Sequence, residues 1–268
     1  MKYVDFINSM KRFGSTERDI CIHGIGVESE LIRENVVIAP WWEPPSLPTL
    51  GKAEYLSESE FASTKVWNVQ NGDIKITYIK TGIGAPVLMD SLLSLGVTSC
   101  KKIIFIGSVG SLDMNISIGD IVLPEYSICG DGASRYILSD KLEQDVFGSK
   151  SYPDTMFFEK AKITTKEICS ANNVTWHIGR TFSLDTVFAQ FAHIDSIIGL
   201  GCNVIEMETA AAFSAAKLMG IPMVAIFSVS DNTVANKSHI SGRTQSEMDY
   251  RHFVRRGMFP QIILSMFN

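Results

Sequence analysis

The stretch NVIEMETAAAF, residues 203–213, passes from apolar residues directly into an alanine-rich segment. That segment extends to Gly220 and is followed by Pro222, a combination that typically ends a helix. Its five alanines would let such a helix lie close against a sheet. The next apolar run, MVAIFSVS (223–230), has the length of a fully buried strand. The order predicts a strand, a helix and a second strand, the repeating unit of a parallel sheet.

Other segments extend this pattern along the chain. A helix is predicted over APVLMDSLLSLG (85–96), with Pro86 at its start and Gly96 at its end. Thr244 and Glu247 form a capping box that opens a final helix, which Pro260 is expected to interrupt. Further buried strands are predicted at VVIA (36–39), IKITYI (74–79), KIIFIG (102–107) and DIVLP (120–124).

Alternating strands and helices predict an α/β fold with a central mixed, mostly parallel β-sheet flanked by helices. Because no repeat, low-complexity stretch or Gly/Ser linker divides the chain, we expect residues 1–268 to form a single domain.

Composition excludes several classes of protein. Hydrophobic residues make up 46% of the chain and charged residues 20%, as in ordinary globular proteins. A net charge of -5 with no basic run argues against a nucleic-acid binder, and no apolar run approaches the ~20 residues that span a bilayer. The first fourteen residues include the charged Lys2, Asp5, Lys11 and Arg12, which predict an amphipathic helix instead of a signal peptide.

Cysteines and histidines predict neither disulfides nor a metal site. The five cysteines are scattered without a Cys-x-x-Cys pair, which favours reduced thiols and a cytoplasmic location. The histidines lack the spacing of metal ligands, so we expect no metal and no cofactor. They are His23, His177, His193, His239 and His252.

In an open α/β sheet, ligands bind beyond the carboxyl ends of the strands. Glycine-rich turns follow two predicted strands, KTGIGAP with Gly84 and GSVGSL with Gly107 and Ser108. Such turns let backbone N–H groups approach an anion or a hydroxyl-rich ligand. We therefore expect a binding site for a small polar ligand at this edge.

Three carboxylates fall at the same edge. Glu206 and Glu208 stand at a helix start, which favours their ionised form, and they are suited to accept hydrogen bonds from vicinal sugar hydroxyls. Asp231 ends an apolar strand, where burial is expected to raise its pKa from about 3.9 and suit it to donate a proton. Taken singly, each has a structural alternative: a carboxylate complementing the helix dipole, an Asx turn at Asp231, or core filling by Met207.

Four segments together resemble the nucleoside phosphorylase/nucleosidase family, which includes bacterial-type purine nucleoside phosphorylase, uridine phosphorylase and methylthioadenosine nucleosidase. The resemblance implies a three-layer phosphorylase/hydrolase-like fold and a pentosyltransferase that cleaves an N-glycosidic bond. The segments are IIFIGSVGSLDMNISIGDIVLPE (103–125), TFSLDTVF (181–188), VIEMETAAAF (204–213) and FSVSDN (227–232).

The resemblance also implies roles for individual residues. Glu208 would bind the ribose 2′ and 3′ hydroxyls, Met207 would pack on the sugar, and Glu206 would help to orient the hydroxyls. Asp231 would protonate or hydrogen-bond N7 of a purine. The remaining positions expected to contact substrate are Ser108 and Gly107 on the nucleophile side of the sugar, Val187 and Phe188 around the base, and Gly84.

Two departures from the family pattern concern the nucleophile. Phosphorolytic members usually carry an arginine two residues before the Gly-Ser turn, where this chain has Phe105, and PWWEPP (40–45) replaces their Gly-Asp-Pro loop. Phosphate needs a compensating cation, and arginine is its usual bidentate partner. Candidate replacements, each more typical of a surface charge, are Arg33, Arg135, Arg180, Lys237 and Arg243. Glu43 lies near the position where hydrolytic relatives keep a glutamate that activates water.

We expect phosphorolysis to free base and ribose-1-phosphate, with hydrolysis and catalytically silent nucleoside binding as the alternatives. Uridine-type members follow the SLDTVF-like segment with a glutamine and an arginine, but here only Gln190 follows. Together with Asp231, this favours a purine nucleoside. The family resemblance also implies a homo-oligomer, either a dimer or a trimer of dimers.

Overall fold

A computed structural model describes residues 2–58, 64–238 and 240–268. The strands are β1 Asn35–Ala39, β2 Lys52–Glu58, β3 Lys65–Asn71, β4 Ile74–Lys80, β5 Lys102–Ser111, β6 Ile121–Gly130, β7 Lys150–Ser151, β8 Trp176–Leu184, β9 Val204–Glu206 and β10 Met223–Asn232. The helices are α1 Tyr3–Arg12, α2 Glu17–Ile25, α3 Ala85–Ser94, α4 Arg135–Leu138, α5 Thr155–Asn172, α6 Ile194–Gly199, α7 Thr209–Met219, α8 Gln245–Phe253 and α9 Phe259–Phe267.

All strands belong to one mixed sheet, in agreement with the predicted fold class. Strand β1 runs parallel to β4 and β5, and β5 runs parallel to β10. Strand β8 is parallel to both β6 and β9. Antiparallel pairs join β10 to β6 and β5 to β9, and they add β3 and β2 beyond β4. The strands β5, β10, β6, β8 and β9 therefore close into a ring, from which β1, β4, β3 and β2 extend.

Strand β5 changes partner along its length. Its first half pairs with β1 up to Phe105, and its end pairs with β9 from Gly110. On the other side β10 accompanies β5 throughout. The segment between Phe105 and Gly110 consequently lies in a gap between two partner strands, and a cavity opens there.

Helices cover both faces of the sheet. In β5, Ile103 and Phe105 point into one core layer and Ile104 and Ile106 into the other, as the alternation of a strand requires. The first layer packs against α2, α3 and α7, and the second against α5 and α9. The α7 alanines are buried, as expected for a helix lying close to the sheet.

One helix starts later than the sequence predicts, and the interruption predicted in the C-terminal helix is present. Helix α7 begins at Thr209, because Glu206 still belongs to β9 and Glu208 occupies the N-cap position. The C-terminal helix is interrupted just before Pro260, as predicted, although the helical segment continues beyond it. A π-helical turn, Val254–Met258, follows α8, and α9 then starts with Pro260 in its first turn, where a missing N–H breaks no hydrogen bond.

Two predictions at the chain ends are confirmed. The amphipathic helix near the start is α1, and the capping box of Thr244 and Glu247 opens α8. In the part of the chain that the structure describes, no helix has both the length and the apolar character needed to cross a membrane.

Candidate active site

A cavity of about 270 Å³ lies at the gap in β5. It collects side chains from the ends of β5, β9 and β10 and from the loop after β1, together with one residue of α8. Its lining comprises Pro40, Trp41, Trp42, Ile83, Phe105, Gly107, Ser108, Gly110, Val187, Gln190, Ile205, Glu206, Met207, Glu208, Phe227, Ser230, Asp231 and Arg251. Most of the residues expected from the sequence thus border a single cavity.

Glu208 joins two of the turns at the carboxyl edge of the sheet. Its Oε1 accepts a hydrogen bond of 2.7 Å from the backbone N–H of Gly84, just before α3. Gly84 has a φ of 110°, a conformation that strongly favours glycine. Burial, and then the neighbouring Glu206, raise the pKa of Glu208 to about 8. The site therefore holds a carboxyl group poised to change protonation slightly above neutral pH.

Both carboxylate oxygens of Glu206 accept hydrogen bonds from other groups of the protein. Its Oε2 accepts hydrogen bonds from the backbone N–H groups of Glu208 and Thr209, at 2.7 and 2.8 Å, and so caps α7. Its Oε1 accepts from the hydroxyl of Ser183. Burial raises the pKa of Glu206. Both carboxylate oxygens hold the turn that presents Met207 and Glu208 to the cavity.

Asp231 reaches the cavity because of a bulge in β10. The register with β5 shifts between Val229 and Asp231, which leaves Ser230 as the extra residue. Asp231 is paired with Gly110, and a Cβ added to that glycine would lie 3.1 Å from Oδ2 of Asp231. The Asp231 side chain is buried and accepts a hydrogen bond from the Ser230 hydroxyl. The bulge and the glycine together make room for this carboxyl group.

Ser108 contacts a cation, the guanidinium of Arg251, that was not predicted from the sequence as part of the site. Nη2 of Arg251, from α8, donates a 2.8 Å hydrogen bond to Oγ of Ser108. Burial, with Arg255 and Arg243 nearby, lowers the pKa of Arg251 to about 10, so the guanidinium is charged at neutral pH. A signal was present in MDYRHFVRR, where Arg251 and Arg255 are four residues apart and share a helix side.

Phe105 occupies the wall where phosphorolytic relatives were expected to carry an arginine. Its ring packs edge-to-face on Phe227, with 5.1 Å between centroids, and both rings line the cavity. An aromatic pair thus fills the space in which that arginine was expected. The positive charge at the cavity comes from Arg251.

The five cations considered from the sequence lie elsewhere or contact the site only at its margin. Arg243 donates to the carbonyl oxygen of Ser230, at 3.3 Å. Arg180 donates to the carbonyl of Gly201, and Lys237 forms an ion pair with Glu247. Arg33 and Arg135 line other cavities.

Glu43, the candidate for activating water, is held by lysines. Its Oε1 lies 2.7 Å from Nζ of Lys80 and 3.6 Å from Nζ of Lys65. The hydrogen bond from Lys80 lowers the pKa of Glu43, which makes it a weaker base. Glu43 is also not among the described residues that line the cavity.

The two residues expected around the base separate in the structure. Val187 lines the cavity with Gln190, whereas the Phe188 side chain is 89% exposed and does not border it. Among the described residues, no group of three or more His, Cys, Asp or Glu side chains is arranged to hold a metal ion. His239 lies outside the described residues.

Comparisons with known proteins agree with this architecture. The family model described as Phosphorylase superfamily matches residues 37–254. A DeoD-type purine nucleoside phosphorylase of Streptococcus suis is 28% identical over 166 residues, which cover 60% of this chain and 65% of the relative, just under two thirds of its length. A uridine phosphorylase of Thermococcus kodakarensis is 23% identical over 206 residues, covering 70% of each chain.

A solved structure has the same fold. The crystal structure of uridine phosphorylase from Vibrio fischeri superposes with a TM-score of 0.73 at 18% identity. The superposition covers 95% of this chain and 97% of the other. The family resemblance and the fold class expected from the sequence are both confirmed.

Proposed function

The chain belongs to the phosphorylase superfamily, whose model matches residues 37–254, and from this membership we propose that it cleaves nucleosides by phosphorolysis. The reaction transfers the pentosyl group to phosphate and releases the free base. The observation that carries the proposal is the cavity in which Glu208 lies on one wall and the Arg251–Ser108 pair on another.

Glu208 is the residue proposed to hold the sugar. As an ionised carboxylate it accepts hydrogen bonds from two vicinal hydroxyls, and Gly84 fixes the orientation of its Oε1. Met207 packs against the apolar face of the ring. Glu206 acts indirectly, because its oxygens hold the backbone of Glu208. Positioning of this kind lowers the barrier by keeping the sugar carbon aligned with its nucleophile.

Asp231 is proposed to act on the departing base. As the bond between the sugar C1′ and the base nitrogen breaks, its electron pair moves to the base. A proton from the Asp231 carboxyl, or a hydrogen bond from it to N7 of a purine, stabilises that charge. A phosphate oxygen forms the new bond to C1′, which gives ribose-1-phosphate. The presence of Asp231 in the cavity supports a purine as the preferred base.

Phosphate is proposed as the nucleophile because the cavity contains a guanidinium group at Ser108. Arg251 neutralises anionic charge beside the sugar, as transfer to phosphate requires. Hydrolysis is the second candidate, but Glu43 is tied to Lys80 and lies off the cavity lining. Silent nucleoside binding is the third, and it would leave the Asp231 carboxyl without a chemical role.

The cellular setting and the assembly are also proposals. All five cysteines are free and buried, which supports a reducing compartment such as the cytoplasm, in which the chain would serve purine salvage. We expect a homo-oligomer, a dimer or a trimer of dimers, as the family resemblance implies.

The experiment follows release of free base from inosine, adenosine, guanosine, methylthioadenosine and uridine, each with and without phosphate. We expect turnover of at least one purine nucleoside that depends on phosphate. Equal rates without phosphate would show hydrolysis. Tight binding of a nucleoside without turnover of any would show a silent relative.

A further inference from the structure

Two arginines of the C-terminal helical segment have buried polar atoms without partners. The Nε atoms of Arg251 and Arg255 are shielded from solvent, and neither makes a hydrogen bond. Leaving a buried donor unpaired is unfavourable. In the part of the chain that the structure describes, neither guanidinium forms a salt bridge with a carboxylate. These groups are therefore available to an incoming anion.

Arg251 borders the cavity, and Arg255 lies behind a residue of its lining. They are four residues apart, so they project from the same side of the helical segment. Arg251 lines the cavity itself and contacts Ser108. Arg255 lies in the π-helical turn, and its guanidinium carbon is 5.5 Å from the ring centre of Trp42, another lining residue. π-Helical turns occur frequently at functional sites.

The charges on this wall repel one another. Burial is the first cause of the lowered pKa of Arg251, the positive charges of Arg255 and Arg243 are the next, and the nearby Asp231 carboxyl offsets only part of these effects. Like charges held together in a partly buried position are unfavourable unless a counter-ion joins them. A bound dianion would relieve this repulsion and would also supply an acceptor for the unpaired N–H of Arg251.

The local chemistry fits a tetrahedral oxyanion. A guanidinium group presents several N–H donors in a planar fork that matches two oxygens of phosphate. Because Oγ of Ser108 accepts its hydrogen bond from Arg251, the Ser108 hydroxyl proton remains able to donate to a third oxygen. Phe105, packed on Phe227, offers no such donor.

We propose that Arg251, held against Ser108, binds the phosphate co-substrate, and that Arg255 strengthens this site through its charge. The C-terminal helical segment thereby supplies the cation that is missing at Phe105. The proposal rests on phosphorolysis as the reaction of this chain. It assigns the phosphate contact to α8 and a supporting charge to the following π-helical turn, both far along the sequence from the Gly-Ser turn in β5.

The test titrates the full chain with inorganic phosphate in the absence of nucleoside, by calorimetry. We expect Arg251→Gln to weaken phosphate binding about 10- to 100-fold, since a hydrogen bond to a charged group contributes about 1.5–3 kcal/mol. Arg255→Gln should weaken it less, about 3- to 10-fold, because it acts through charge alone. Arg256→Gln is the matched control: the residue is exposed, and we expect a change of less than about 2-fold.

A second variant separates a lost contact from a damaged fold. Arg251→Ala should regain phosphate binding when guanidinium ion is added, while Arg256→Ala should not respond. If Arg251→Gln binds phosphate as tightly as the unmodified protein, or if the unmodified protein binds no phosphate, the site is refuted.

Failure of this site and failure of phosphorolysis can be told apart. In one outcome, phosphate binding requires Arg251 but nucleoside turnover does not depend on phosphate. That result would support the anion site and refute phosphorolysis. In the other outcome, turnover requires phosphate but Arg251→Gln and Arg255→Gln bind phosphate as tightly as the unmodified protein. That result would support phosphorolysis and refute the assignment of the arginines.

Discussion

The backbone N–H of Gly84 donates a 2.7 Å hydrogen bond to Oε1 of Glu208, across 124 positions of the sequence. The contact ties the turn before α3 to the start of α7 and orients the carboxyl group proposed to hold the sugar. Glu206, two residues earlier, performs a different task, because its oxygens cap α7. The two glutamates should therefore respond differently to the same chemical change.

Glu208→Gln should lower kcat/KM for the nucleoside by about 100-fold or more, because a neutral amide accepts sugar hydroxyls less well than a carboxylate. The free energy of unfolding should not fall at neutral pH, because the amide removes the cost of ionising a buried carboxyl group. Glu206→Gln is the comparison. It should lower the free energy of unfolding by about 1–3 kcal/mol through the weakened cap. Urea unfolding and steady-state kinetics measure both, and matching effects of the two variants would contradict the division of roles.

The raised pKa of Glu208 predicts how binding depends on pH. Below a pKa of about 8 the carboxyl group of the free protein is mostly protonated, and above it the carboxylate can accept two sugar hydroxyls. We expect kcat/KM to rise with pH through this value, and the rising limb to disappear in Glu208→Gln. A profile that is flat between pH 6 and about 9 for the unmodified protein would contradict this role.

The same shift predicts a trend in stability. The folded protein keeps the Glu208 proton up to a pKa of about 8, whereas the unfolded chain loses it near the ordinary value of 4.5. The stabilising effect of that proton is complete below the unfolded pKa and is lost as pH rises through the folded one. Relative to the unmodified protein, Glu208→Gln should gain stability between about pH 5 and 9, by up to about 4 kcal/mol. Urea unfolding at several pH values tests the sign, and a relative loss at high pH would contradict it.

Asp231 and Gly110 form the next pair to test. Asp231→Asn removes the proton that the base receives and should lower purine turnover by about 10²- to 10⁴-fold while nucleoside binding persists. Gly110→Ala would place a Cβ 3.1 Å from both Oδ2 of Asp231 and Cγ2 of Ile205, so the carboxyl group must move. It should lower kcat more than it raises KM. Full activity of Asp231→Asn would show that the base leaves without help from this residue.

Much of the sheet and of the site edge was predictable from local sequence. The apolar runs marked β1, β4, β5, β6 and β10, and glycines with carboxylates marked their ends. Because the carboxyl ends of parallel strands share one edge, the sequence alone predicts that Ser108, Glu208 and Asp231 lie together.

Other features depend on tertiary contacts that no local pattern specifies. The meeting of Arg251 with Ser108 depends on where α8 packs, 143 residues away along the chain. Strands β2 and β3 have no long apolar run, because polar residues interrupt the buried Val66, Trp67 and Val69 of β3, and both strands form through their antiparallel pairing. Glu206 and Glu208 look alike in sequence, and only the packing of the turn decides which one caps α7. Phe188 follows Val187 directly, yet the turn directs it into solvent.

The fate of the sugar tests the central claim most directly. The protein would be incubated with the purine nucleoside that it turns over and with inorganic phosphate, and ³¹P NMR would follow the phosphorus while absorbance follows the free base. The account predicts one ribose-1-phosphate formed and one phosphate consumed for each base released. Free ribose in equal amount to the base, with phosphate unchanged, would contradict it.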